Sequence, residues 1–206
     1  MRRKKRLGVY GGTFNPVHKG HVLVAENFAK QMGLDELLII PDDIPPHKAY
    51  SGTVSAKERL KMCELAFSHI EVAKISDMEI RRGGRSYTYL TLEELSDENT
   101  ELFLLIGSDM MLTFDTWRRY DYIFTLASIC YVRRESSEEI GRAIKEKCDV
   151  FRREFGAKIY EIESAPFEVS SSEIRSAGDS FRRDFLPPLV YDYIQANHLY
   201  EVENDR

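Results

Sequence analysis

"RLGVYGGTFNPVHKGHVLVAENFAKQMG" occupies residues 6–33. Its first seven residues form a short apolar run ending in Gly11 and Gly12, which reads as a buried strand. From His21 onward the apolar residues recur with a helical period until Gly33 stops them. The turn between strand and helix is unusual in content. A strand-to-helix turn needs a glycine and a capping residue; it does not need two imidazoles. Gly11 and Gly12 carry no β-carbon, so a phosphate or nucleoside can approach the backbone closely. The amides of a helix N-terminus favour anions. His18 and His21, three residues apart, share one helix face and point into one volume, and Gly20 is expected to keep the surface between them open. Two imidazole donors over one anionic centre suit a phosphoryl group that gains charge during a displacement. A cap, a surface role or zinc binding are the alternatives, although no third metal ligand stands nearby.

The same alternation continues outward. "DELLIIP" (35–41), "EVAKIS" (71–76), "ELFLLIG" (101–107), "ASICYVRR" (127–134) and "AKIYEIE" (157–163) read as strands. Between them lie helical segments at 55–69, at 87–99, at 108–127 with a break near Trp117, and from Ser136 to Phe155. "RRGGRS" (81–86) is a turn, and "PPLVYDYIQANHL" (187–199) a closing helix. Ser55/Glu58 and Ser136/Glu139 have capping-box spacing and mark helix starts. Apolar strands alternating with helices imply an α/β fold: a Rossmann-like, doubly wound parallel sheet covered on both faces. One domain over residues 1–206 is expected, with a small helical C-terminal part at roughly 170–200. In such folds ligands bind beyond the carboxyl ends of the strands, where the opening stretch sits.

Composition narrows the classes. Of the 206 residues 43% are hydrophobic and 31% charged, as in globular chains. A formal charge of −5 argues against bulk nucleic-acid binding, so an anionic substrate must meet a local cationic site. "RRKKR" (2–6) resembles the start of a signal peptide but lacks the apolar core and cleavage site, and reads as a solvated lead-in to the first strand. No stretch has the ~18 apolar residues of a membrane span. Cys63, Cys130 and Cys148 are odd in number and lack C-x-x-C spacing, which indicates neither a disulfide framework nor a zinc site. The chain reads as cytoplasmic.

The turn lacks both G-x-G-x-x-G and the P-loop G-K-[S/T]. A second stretch, "VSSSEIR" (169–175), by itself marks a helix start, with Ser170 and Glu173 in capping-box spacing; its first-turn serines with Arg175 close by would make a receptor for the outer phosphates of a nucleotide. Together "GGTFNPVHKGH" and "VSSSEIR" resemble the H-x-G-H and I-S-S-T-x-I-R signatures of the nucleotidylyltransferase superfamily. Further stretches resemble the nicotinate-nucleotide adenylyltransferase family, and the similarity covers nearly the whole chain. These are "PPHK" (45–48), "RSYTYLTLEEL" (85–95), "LLIGSDMMLTFDTW" (104–117), "YVRR" (131–134) and the closing helix.

The resemblance implies transfer of the adenylyl group of ATP to nicotinate mononucleotide in NAD biosynthesis. It implies ATP contacts from Gly11, Gly12, Thr13, Phe14, Gly107, Asp109, Ser171, Ser172 and Ile174. Catalytic roles fall to His18, His21, Lys48 and Arg175, and acceptor contacts to His47, Tyr87, Thr88, Trp117 and Arg134. Mg²⁺ is expected to be held mainly by the ATP phosphates and water, since the sequence shows no carboxylate cage. Asn15, Ser172 and Leu90 depart from the family's usual aspartate, threonine and aspartate. Arg133 and the cluster Arg81, Arg82 and Arg85 read as solvated. Transfer to nicotinamide mononucleotide or phosphopantetheine, and a nucleotide-binding sensor without catalysis, are the alternatives. The expected partners are small molecules, with no nucleic acid and no membrane; oligomeric state, a homo-oligomer included, is left open.

Overall fold

The computed structural model describes residues 3–45, 54–133, 137–165, 167 and 169–200. Six parallel strands form one sheet: β1 (Lys5–Gly12), β2 (Glu36–Pro41), β3 (Ala73–Ile75), β4 (Thr100–Gly107), β5 (Ala127–Val132) and β6 (Ile159–Ile162). Their order is β3-β2-β1-β4-β5-β6. The chain winds outward from β1 to β3, then crosses to the other side of β1 and winds outward again. β1 and β4 therefore lie side by side at the switch point, with Tyr10 opposite Leu105, while Gly12 at the end of β1 faces Pro41 of β2. Loops leaving adjacent strands diverge here and leave a crevice.

The expected α/β architecture is observed, and its cause is visible strand by strand. β5 is buried at all six positions and β4 at five consecutive ones, as the uninterrupted apolar runs require when both faces are covered. On one face α1 (Lys19–Gln31), α2 (Ala56–Phe67) and α10 (Pro188–Ala196) contribute Phe28, Met62, Phe67, Val190 and Ile194 to a single cluster. On the other, α4 (Thr88–Leu95), α5 (Ser108–Leu112), α6 (Tyr120–Leu126) and α7 (Glu138–Phe155) supply Leu92, Met111, Ile123 and Phe151. Gly8 in β1 lets Leu34 and Phe28 close onto the strand: a β-carbon there would come within 2.4 Å of Leu34 and 2.9 Å of Phe28.

Several boundaries differ from expectation. The long segment after Gly107 is α5, a 3-10 turn at Phe114–Thr116, and α6; Arg119 starts α6 from the left-handed region at φ 55°. The helix expected over 87–99 ends at Leu95. α7 is capped by Ser137, whose hydroxyl accepts from Ile140 N–H, in place of Ser136. Three short helices, α3 (Met78–Arg82), α8 (Ser171–Ser176) and α9 (Asp179–Phe185), complete the described chain. Of these, α3 was not foreseen, and α9 falls inside the helical C-terminal part expected at roughly 170–200 without having been given bounds of its own.

Candidate active site

The loop after β1 descends into α1 through Phe14 at φ 46°, in the left-handed region, and a cis Asn15–Pro16 bond. Burial of the Phe14 ring against Tyr10, Phe67 and His21, with centroids 5.4, 6.1 and 5.2 Å away, holds that conformation. His18 is the N-cap residue of α1, in extended conformation, and its side chain is buried. Its backbone N–H donates to Nδ1 of His21 at 3.1 Å. An accepting Nδ1 carries no proton, so neutral His21 bears its proton on Nε2 and can donate from that nitrogen. The two imidazoles lie close together, with centroids 3.7 Å apart and ring planes tilted by 30°. Sequence spacing placed them together, and the structure does so.

The expectation for Gly20 needs correction. The Phe167 ring covers this glycine: a β-carbon would come within 2.3 Å of it. That ring also stacks nearly parallel to His18, at 5.5 Å and 6°. Gly20 thus leaves room for an aromatic neighbour of His18 and does not hold the surface open.

The serine–arginine stretch comes to the same loop across 155 residues of chain. Ser170 caps α8, its hydroxyl accepting from Glu173 N–H at 3.2 Å while the Glu173 carboxylate accepts from Ser170 N–H at 2.7 Å. The Ser170 hydroxyl and amide hold the Glu173 carboxyl below the usual range. Ser171 donates to the Pro16 carbonyl at 2.9 Å. Arg175 donates to the Asn15 carbonyl at 2.6 Å and to Ser172 Oγ at 3.0 Å. Tyr200 donates its hydroxyl proton to Asn15 Oδ1 at 2.5 Å, which gives the unusual asparagine a partner. Arg182 binds the carbonyls of Ile174, Arg175 and Tyr200, at 3.2, 2.7 and 3.2 Å, and so closes the end of α8.

A cleft of about 470 Å³ runs from this loop across the ends of β1 and β4, a size that suits a small-molecule site. It is lined by Gly11–Asn15, His18 and His21, by Gly107, Asp109 and Met110, by Ser170–Ser172 and Arg175, and by Thr88 and Trp117. Trp117 packs its ring on Phe114, centroids 5.0 Å apart. Tyr87 is the N-cap residue of α4 and gives it no side-chain cap. The Arg118 guanidinium lies 4.9 Å over its ring, and Arg118 and Arg85 hold the phenol below its ordinary pKa. Ile174 does not line the cleft; its side chain is in the core beneath α8. His47, Lys48 and Arg134 lie outside the described residues.

Several residues of the site went unforeseen. Asp42, Glu79 and Tyr200 line the cleft. Arg59, wholly buried on α2, binds Asp42 behind it. Glu79 accepts from the Thr91 hydroxyl, and burial raises its carboxyl pKa against that bond and one from Ser86. A signal existed for Arg59: it lies on the face of α2 that carries Met62, Cys63 and Ala66, where a charge is out of place. Arginines expected to be solvated are engaged, Arg81 among them through Asp77. Arg82 donates to Thr91 and Glu94, and Arg133 to the Ser137 carbonyl. Among the described residues no group of three or more His, Cys, Asp or Glu could hold a metal ion, and no helix is long and apolar enough to cross a membrane.

Residues 9–177 match the family described as cytidylyltransferase-like. A relative from Streptococcus mutans named "Probable nicotinate-nucleotide adenylyltransferase" is 33% identical over 204 residues, covering 97% of this chain and 90% of its own. One of the same name from Citrifermentans bemidjiense is 37% identical over 211 residues, covering 95% and 98%. Among solved structures, Plasmodium falciparum nicotinic acid mononucleotide adenylyltransferase complexed with NaAD superposes with a TM-score of 0.72 at 19% identity. It covers 95% of this chain and 97% of that one, a likeness of fold.

Proposed function

From the premise that the chain belongs to the cytidylyltransferase-like family, and within it to the nicotinate-nucleotide adenylyltransferases, we infer how its cleft divides between two substrates. The protein transfers the adenylyl group of ATP to nicotinate mononucleotide, giving nicotinate adenine dinucleotide and pyrophosphate, a step of NAD biosynthesis. ATP lies across Gly11–Phe14 with its phosphates over the start of α1, and its outer phosphates reach α8. Nicotinate mononucleotide occupies the part of the cleft between Thr88 and Trp117. One observation carries this division: Ser171 and Arg175 fasten directly to the backbone of the loop that leads into His18 and the first turn of α1, where His21 stands. A single triphosphate can then touch both.

An oxygen of the acceptor's phosphate attacks the α-phosphorus in line; the bond from that phosphorus to the bridging oxygen breaks, and pyrophosphate leaves. The attacking group is already anionic at neutral pH, so no protein nucleophile is required. Catalysis consists of positioning and charge stabilisation. His21 Nε2–H and the His18 ring hydrogen-bond oxygens of the α-phosphate that gain charge, while the planar fork of Arg175 turns to the β- and γ-phosphates. Lys48 and His47 from the loop after β2, and Arg134 after β5, belong to the same reading. Mg²⁺ held mainly by the triphosphate oxygens and water would neutralise part of that charge. Asp109, exposed in the first turn of α5, suits ribose hydroxyls.

The nicotinate carboxylate meets the N-terminal amides of α4. Those amides favour an anion over a neutral amide, and one or two charged hydrogen bonds correspond to roughly 10- to 10⁴-fold discrimination. Pyrophosphate release with ATP and three acceptors tests this: nicotinate mononucleotide, nicotinamide mononucleotide and phosphopantetheine. The expected kcat/KM favours the nicotinate form by at least ~10-fold over its amide. Comparable values for acid and amide reject the placement at α4.

A further inference from the structure

Arg59 stands on the buried face of α2, one turn before Met62 and Cys63, and is fully shielded from solvent. Its guanidinium donates through Nη1 to the Thr13 carbonyl at 2.8 Å and to Asp42 Oδ1 at 3.0 Å. Through Nη2 it donates to the carbonyls of Asp42 and Asp43, at 2.7 and 3.2 Å. The other Asp42 oxygen accepts from the Thr13 hydroxyl at 2.8 Å. These acceptors belong to the loops that leave the adjacent strands β1 and β2. From Asp43 the connection continues to the turn ahead of α4. Asp43 N–H donates to Ser86 Oγ at 3.0 Å, and Gly84 N–H donates to Asp43 Oδ2 at 2.9 Å. Ile44 pairs with Arg85 beside them.

A buried ion pair is a weak source of net stability, because the cost of removing two charges from water offsets their attraction. An apolar residue would suit this face of α2 as well or better. What an apolar residue cannot do is tie two loop backbones and a carboxylate to one rigid plane. We propose that Arg59 is a positioning residue: it sets the spacing between the loop that carries ATP and the turn that carries the acceptor, so that the attacking phosphate oxygen meets the α-phosphorus in line. The inference rests on the division of the cleft between ATP and nicotinate mononucleotide given above. Each substrate keeps its own contacts when Arg59 is altered, so the loss falls on the chemical step; a misplacement of about 1 Å can cost ~10²-fold.

The test compares Arg59→Lys and Asp43→Ala with the wild-type chain by initial rates in ATP and nicotinate mononucleotide, with the folded fraction measured on the same samples. Lysine keeps the charge but offers a point where the loops need a fork. For Arg59→Lys the expected result is a kcat lower by about 10²-fold per folded molecule, with both KM values within ~3-fold of wild type. Asp43→Ala, which changes a half-buried side chain and removes one link of the second arm, the acceptor for Gly84 N–H, while the backbone links stay, is expected to lower kcat by about 10-fold with an unchanged melting temperature. It carries the test if Arg59→Lys does not fold. A normal kcat per folded molecule in the folded variants, or a loss confined to one KM, overturns the positioning role. A wild-type chain that forms no dinucleotide from these substrates overturns instead the function on which the role depends.

Discussion

Gly20 and Phe167 form a pair whose common product is the setting of His18. A methyl group at position 20 must displace the ring that now stacks on the imidazole. Gly20→Ala is therefore expected to lower kcat by about 10-fold or more, on the scale of one disturbed transition-state donor. Phe167→Ala should cost nearly as much, and the double variant little more than either single one, because all three remove the same stack. Additive losses in initial-rate measurements would show two separate roles. Glu79 invites a pH experiment. Its folded-state pKa is raised, chiefly by burial, so the folded chain holds this proton to higher pH than the unfolded chain does. Protonation thus supports the fold below the ordinary value of 4.5, and that support disappears as pH rises through the raised value. Glu79→Gln, uncharged throughout, should flatten the melting temperature as pH rises above the ordinary carboxylate range and exceed wild type at the upper end. Parallel curves for the two proteins refute a burial-raised Glu79. The histidines were legible from residue type and spacing, and Arg175 from the resemblance of its stretch to a known signature. Asp42, Glu79 and Tyr200 were not, because an isolated carboxylate or phenol carries no pattern until its partner arrives. For Tyr200 that partner is 185 residues away.

At the scale of elements, α8 is the least self-sufficient piece of the site. Six residues are too few for a helix to persist by propensity, since isolated helices below roughly 12–15 residues are marginal in water. It persists through the reciprocal Ser170–Glu173 cap at one end and Arg182 at the other. Ser170→Ala removes the acceptor for Glu173 N–H, at a cost of about 0.5–2 kcal/mol. Because the frayed turn carries Ser171, Ser172 and Arg175, KM for ATP is expected to rise several-fold while that for nicotinate mononucleotide stays near wild type; initial rates with each substrate varied in turn decide it. Capping boxes at Ser55 and Ser170 could be read directly from sequence, and so could the apolar strands. The bounds of α9 within the expected helical C-terminal part could not: "DSFRRDF" buries none of its residues and so shows no apolar stripe. The break after Gly107 was foreseen near Trp117, but not the left-handed Arg119 that restarts the chain, a backbone state favoured in glycine or asparagine more than in arginine.

For the molecule as a whole, the strand order explains why chemistry gathers at one end. The crossover that separates β1 from β4 opens the crevice, and the glycines, histidines and Asp109 that line the cleft hang from loops or helix starts at the carboxyl ends of the strands. Composition and alternation disclosed the sheet. They were silent on the return of the last described residues to the first loop, where Ser171, Arg175 and Tyr200 meet Pro16 and Asn15. That return has a consequence for amide hydrogen exchange. Residues 13–18 lie beside the most protected strands, yet they are clasped by short helices that open at far smaller free energies than a sheet core. Their deuterium uptake should keep time with α8–α10 and not with β1 and β4. Tyr200→Ala should quicken uptake in 13–18 while the strands stay slow, and a non-hydrolysable ATP analogue should retard the loop and α8 together. The loop over which ATP lies would then be clocked by the far end of the chain.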